Sequence, residues 1–215
     1  MDIIKNPELR QVVFDNIRAT VDKPRTGIHL SDLIYCPRKA YYRKISPVTA
    51  TDEQCLLWLT GYSFQAYMFP SDKEVTITID GIDCTPDILR LKTEVKSTRQ
   101  SSKKFDPYEM KHWLRQILGY CKATGSLEYD LVVMFTAGNY APPFPNLDCW
   151  HIKATQEEVD NNWAQARMVK GLLEEAYRTG TPPPALCMDW EWEYCEHWEQ
   201  CIDTLCYKKR LARKK

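Results

Sequence analysis

The stretch Thr85 to Lys96, TPDILRLKTEVK, constrains this chain more than any other part of it. It holds Pro86-Asp87 and, seven residues after the aspartate, Glu94-Val95-Lys96. Ile88, Leu89, Leu91 and Val95 supply the apolar residues of two short buried strands. That reading sets Asp87 and Glu94 on adjacent strands with their oxygens converging. Glu94 and Lys96 lie two apart on a strand and so share one face. Two hard carboxylate donors suit Mg²⁺ or Mn²⁺. Such an ion polarises a phosphate and lowers the pKa of a bound water. Lys96 would then position that water or neutralise charge developing on the phosphate. A lone Glu-x-Lys is common and reads equally as a surface hairpin with a weak ion pair, so the rest of the chain decides.

The chain has 215 residues, enough for one domain with a substantial core. Its formal net charge is zero, so any attraction to nucleic acid must come from local patches. No apolar run is long enough to span a membrane, and MDIIKNPELRQ lacks the apolar region of a signal peptide. Nine cysteines in such a chain point to a reducing, cytoplasmic setting, where clustered cysteines more often bind metal than form disulfides.

In order along the chain, residues 6–20 form an amphipathic helix with Leu9, Val12, Val13, Ile17 and Ala19 as its stripe. Ser31 caps a second helix running through Leu33, Cys36, Pro37 and Arg38 to Arg43. Arg38, Lys39, Arg43 and Lys44 with Tyr41 and Tyr42 make a basic, aromatic patch suited to phosphates and unstacked bases, or else a solvated helix face. Thr51 or Asp52 caps a third helix, to about Met68. Residues 73–79 alternate as a strand, and Asp80-Gly81 is a hairpin turn. Ser97 to Lys104 is a polar loop carrying Arg99, Lys103 and Lys104. Asp106 and Pro107 start a fourth helix, to about Thr124, on which Gln116 and Tyr120 share a face. Leu131–Phe135 and Cys149–Lys153 are strands separated by a loop at Asn139–Asn146. Thr155 with Glu158 is a capping box for a long helix to about Arg178. The tail holds Cys187, Cys195, Cys201 and Cys206, four cysteines within twenty residues and a density typical of a metal or iron–sulfur site. A basic run closes the chain.

In this order the motifs resemble the RecB-like PD-(D/E)xK exonucleases that carry a cysteine cluster, which include the CRISPR-adaptation nucleases and their viral relatives. The resemblance covers most of the chain. It rests on His29-Leu30-Ser31-Asp32-Leu33 leading into Cys36-Pro37-Arg38-Lys39, on Pro86-Asp87, on Glu94-Val95-Lys96, on Gln116 and Tyr120 as a Q-x-x-x-Y helix, and on the C-terminal cysteines. It implies an α/β fold, a restriction-endonuclease-like core with a central mixed sheet flanked by helices. It also implies a [4Fe–4S] cluster held by Cys36 and three C-terminal cysteines, so that a cysteine-cluster region joins residues 1–50 and 181–215 around a nuclease core at 51–180. Asp87, Glu94 and the Val95 carbonyl would bind Mg²⁺ or Mn²⁺. Lys96 would activate water, and Gln116 and Tyr120 would support phosphate and lysine. The implied activity is exonucleolytic hydrolysis of single-stranded DNA or duplex ends, in the cytoplasm or, for a viral protein, the host cytoplasm. The alternatives are a nuclease that trims prespacers beside an integrase, or a DNA-binding or partner-docking module of the same fold.

The sequence departs from the family pattern at two places. The family's G-x-x-x-H histidine, a metal ligand, is Gln65 here, an amide that would reach the ion directly or through water. Cys195 and Cys201 fit the last pair of the family's C-x-x-C-x₅-C spacing, but Trp192 takes the first position. The remaining ligand is then Cys187 or Cys206, with Cys187 preferred, and zinc is the alternative to iron.

Overall fold

The computed structural model describes residues 6–21, 25–72, 74–137, 145–188, 190–192, 194–204 and 212. Helix α1 (Pro7–Val21) starts where Asn6 Oδ1 accepts from the Leu9 amide at 2.9 Å. Its packed face is Phe14, Ile17 and Val21, at i, i+3 and i+7, which shares only Ile17 with the expected stripe. Leu9, Val12 and Val13 lie on the other side and are exposed, as is Ala19. Phe14 and Ile17 pack with Ala50 and Cys55 in a small cluster separate from the main core. Ion pairs from Arg10 and Arg18 to Asp52 tie α1 to helix α4 (Asp52–Met68). Thr51 caps α4 in a reciprocal box with Gln54.

The single helix expected from Ser31 is two: α2 (Leu30–Ile34), capped at His29 with Asp32 closing the box, and α3 (Pro37–Ile45). Pro37 has no amide hydrogen to donate and disfavours helical geometry in the residue before it. Cys36 is accordingly extended, at φ −61° and ψ 114°, and stands at the break.

Strands β1 (Ile77–Ile79) and β2 (Ile82–Cys84) form the expected hairpin, with Asp80 at φ 52° and Gly81 at φ 69°. Both turn residues have positive φ, as the right-handed twist of the strands requires. The expected strand at 73–79 is only its last three residues. The segment after β2 differs more. Leu89–Leu91 is one turn of 3-10 helix, Leu91 is exposed, and only Ile88 keeps strand pairing, bridging Thr93. Lys92 at φ 51° then turns the chain into β3 (Thr93–Thr98), two residues longer than expected at the cost of the polar loop.

Helix α5 (Lys111–Thr124) carries the chain from β3 to β4 (Glu128–Phe135), which pairs parallel with β3. The Asp106–Pro107 start is a separate 3-10 turn, Pro107–Glu109, set off from α5 by Met110. Strand β5 (Asn146–Lys153) returns antiparallel to β4 and includes Asn146, the end of the expected loop; residues 138–144 of that loop lie outside the described residues. Helix α6 (Gln156–Thr179) begins at the Thr155–Glu158 box.

The result is a mixed α/β fold, a three-stranded mixed sheet in the order β3-β4-β5 flanked by helices, with the β1–β2 hairpin beside it. One core joins Leu131, Val133 and Phe135 of β4, Ile117 and Tyr120 of α5, Leu173 of α6, and Leu30 and Leu33 of α2. At Gly119 a methyl group would lie 2.4 Å from Leu30 Cδ2, so glycine sets how closely α2 and α5 approach. Among the described residues no helix is long and apolar enough to cross a membrane.

Candidate functional site

β3 pairs Glu94 with Leu131 and Lys96 with Val133, both fully buried partners, and this anchors the acidic residue inside the protein. Glu94 is 1% exposed. Asp87 reaches it from the irregular segment after β2 rather than from a strand. The Val95 amide donates to Asp87 Oδ2 at 2.8 Å, which fixes that carboxylate at the edge of β3. The two acids therefore converge as expected, on a different local structure.

A hydrogen-bonded line continues from there. Lys96 Nζ donates to Glu94 Oε1 and, at 3.1 Å, to Gln116 Oε1. Gln116 Nε2 donates to the Tyr120 hydroxyl at 2.6 Å, and Tyr120 donates to the Thr85 carbonyl at 3.1 Å. Residues from β3, α5 and the post-β2 segment thus form one connected set, closed by a backbone carbonyl that no side-chain motif announces. Gln65 of α4 lies at its margin. Its Nε2 donates to the Asp87 carbonyl and to Glu74 Oε1, both at 3.4 Å, so the amide touches the Asp87 backbone. α4 itself crosses β3 closely, with Ser97 Oγ 3.7 Å from where a side chain on Gly61 would begin.

The electrostatics follow from burial. Burial pushes the Glu94 carboxyl up to about 8, Asp87 adds to the rise, and Lys96 opposes it. Burial works against the Lys96 ammonium, but Glu94 and Asp87 outweigh it and hold the proton more firmly than usual. The Tyr120 hydroxyl is raised well above its ordinary value by burial and by Glu94, so it stays a neutral donor. Glu94 Oε2 is buried with no hydrogen-bond partner. Leaving such an atom unpaired costs about 1–3 kcal/mol, more when it is charged. The Asp87 and Glu94 carboxylates are hard oxygen donors of the type Mg²⁺ and Mn²⁺ take, and Gln65 presents its Nε2 to the Asp87 carbonyl beside them.

A second site lies where the chain ends meet. Cys36, Cys187, Cys195 and Cys201 line one small cleft with Lys39, Glu191, Trp192 and Trp198. Burial pushes the Cys36, Cys195 and Cys201 thiols up, Cys195 to about 11. Cys187 is disulfide-bonded in this structure, and Cys206 lies outside the described residues. A tetrahedral zinc bound at ~2.3 Å draws its sulfurs to about 3.8 Å from one another. Among the described residues no three His, Cys, Asp or Glu side chains are placed to hold one metal ion in that way; the cysteines surround a space instead.

The C-terminal segment covers part of the expected basic, aromatic patch on α3, while Arg43 and Lys44 stay exposed and Lys44 Nζ lies 4.3 Å from the centroid of the Tyr177 ring. Arg38 is buried, donating through Nε to the Pro183 carbonyl at 2.7 Å and through a terminal nitrogen to Asp203 at 2.8 Å. Lys39 pairs with Glu196, and Arg43 with Glu196 and Asp32. Tyr41 is buried, and Tyr42 donates to the Gln200 carbonyl at 3.1 Å. Glu191, which the sequence did not mark, straps the cavity. Its carboxylate accepts from the Cys36 amide at 3.1 Å and from the Met188 amide at 2.9 Å. Arg99, Lys103 and Lys104 are exposed after β3, and Lys208 to Arg210 and Arg213 to Lys215 lie outside the described residues.

No protein-family model matches the chain, and no curated protein matches it. The crystal structure of a protein designated SSO0001 is similar in fold, with a TM-score of 0.57 at 17% identity over 92% of this chain and 97% of that one.

Proposed function

We propose that the protein is a Mg²⁺- or Mn²⁺-dependent DNA exonuclease with a restriction-endonuclease-like core and a structural [4Fe–4S] cluster. The observation that carries this reading is the buried Glu94 carboxyl set beside Asp87 and Lys96, at the head of a line through Gln116 and Tyr120. A sheet that buries a carboxylate oxygen without a partner bears a cost that a bound cation removes. Asp87, Glu94 and the Val95 carbonyl would hold the ion, with Gln65 at its margin. When bound, the ion supplies Lewis-acid polarisation of the phosphate and acidifies an attacking water.

The chain's own residues do the rest. Lys96 keeps its proton and offers a cation to the phosphate oxygens as charge grows on them. Gln116 accepts one Lys96 N–H and so aims the ammonium. Tyr120, locked between Gln116 and the Thr85 carbonyl, fixes Gln116 in turn. Cys36, Cys187, Cys195 and Cys201 would hold the cluster once Cys187 is reduced, since a cysteine ligates iron as a thiolate and not as a disulfide. The Arg38, Tyr42 and Glu191 contacts close the same cavity from both chain ends.

The test is cleavage of end-labelled linear and closed circular DNA with and without Mn²⁺. Ladders from linear DNA with circles spared, and loss of cleavage in each of Asp87→Ala, Glu94→Ala and Lys96→Ala, support the reading. Wild-type cleavage in any of the three variants would overturn this assignment.

A further inference from the structure

Three aromatic rings gather one helical turn from the candidate site. His112 precedes Gln116 by four residues on α5, so it lies on the same face about 6 Å along the axis. Its ring centroid is 5.7 Å from Tyr35 and 5.0 Å from Trp190, and Tyr35 and Trp190 meet edge to face at 6.2 Å. Tyr35 comes from the break between α2 and α3, and Trp190 from the C-terminal segment, so only tertiary folding assembles the group. Packing accounts for Tyr35 and His112, which are half-buried. It does not account for Trp190, a large ring left 44% exposed beside them.

We propose that Tyr35, His112 and Trp190 form a stacking platform for an unpaired base of the nucleotide next to the phosphate held at Asp87, Glu94 and Lys96. This deepens the nuclease reading and rests on it. A base inside a duplex has both faces covered by its neighbours, so a platform of this kind selects single strands or frayed ends. The platform works without charge. Burial, aided by Lys96, lowers His112 to about 4, so the imidazole is neutral at pH 7. On α3 the tyrosines expected to stack bases are taken up, Tyr41 by Tyr177 and Tyr42 by the Gln200 carbonyl, and these rings supply an aromatic face instead.

The experiment measures fluorescence anisotropy of a labelled short oligothymidylate, and of an abasic strand of equal length and charge, in Ca²⁺, a hard cation that oxygen sites accept. Trp190→Ala should lose roughly 5- to 150-fold in affinity for the oligothymidylate and nothing for the abasic strand. Trp190→Phe should retain most of the affinity. The salt dependence should be the same in all three proteins, because phosphate contacts alone set it. Equal loss on both strands would overturn the proposal by showing a packing role, as would unchanged binding of both by Trp190→Ala. Wild type that cleaves linear DNA in Mn²⁺ but shows either of those results refutes the platform alone. Wild type that neither binds nor cleaves DNA refutes the nuclease reading and the platform with it.

Discussion

Glu94→Gln should make the metal-free protein more stable at neutral pH while abolishing cleavage. Glu94 is 1% exposed, one of its oxygens has no partner, and its carboxyl is raised from 4.5 to about 8 by burial and Asp87. Between those values the native chain keeps a proton that the unfolded chain has released. Stability therefore falls as pH rises through this window, by about 1.4 kcal/mol per unit. At pH 7 the chain is about two and a half units into the window, a loss of roughly 3 kcal/mol. Lys96 is raised, so it stays protonated throughout and contributes no slope there. Glutamine mimics the protonated acid at every pH. In EDTA, urea unfolding of variant and wild type should give a difference near zero at pH 4.5, about 3 kcal/mol at pH 7, and a plateau above about pH 8. Groups remote from Glu94 cancel in the difference, and the coupling of Glu94 to Asp87 is part of what it reads. Added Mn²⁺ should stabilise wild type and leave the variant unchanged. A difference that stays flat from pH 5 to 8 would refute the claim that Glu94 is buried at an ionic cost.

Gly119→Ala should destabilise the protein by about 1–3 kcal/mol through overpacking against Leu30, read as a drop in denaturation midpoint with unchanged slope; a neutral result would show that α2 is free to shift. Arg38→Ala should cost about 1–3 kcal/mol, because the Pro183 carbonyl loses its donor, and should speed proteolysis after residue 180. Cys36→Ser should yield colourless protein without iron, whereas anaerobically purified wild type is coloured and carries iron. Wild type carrying zinc and no iron would refute the cluster.

Local rules accounted for much of this molecule. The Thr51–Gln54 and Thr155–Glu158 boxes begin α4 and α6, and Asp80-Gly81 turns the hairpin, because each depends on residues a few positions apart. The two-residue spacing of Glu94 and Lys96, and the four-residue spacing of Gln116 and Tyr120, also placed each pair on one face, as the strand and helix periods require. The resemblance supplied the order in which those pairs belong together. Burial of Glu94, and with it the direction of its proton affinity, came only from the parallel pairing of β3 with β4, a contact between residues more than thirty positions apart.

Facing was the part local patterns left open. Leu89 and Leu91 are apolar, yet their segment turns as 3-10 helix because the chain must reverse between Ile88 and Thr93. Arg38, Tyr41 and Tyr42 look like a nucleic-acid surface in isolation, but in the fold Arg38 and Tyr42 bind the protein's own C-terminal segment and Tyr41 stacks on Tyr177 of α6. Tyr35, His112 and Trp190 carry no common spacing, since three separate segments contribute one ring each. A sequence fixes periodicity and caps through short-range sterics and hydrogen bonds. Which polar face meets water and which meets another segment depends on long-range packing that only the whole chain decides.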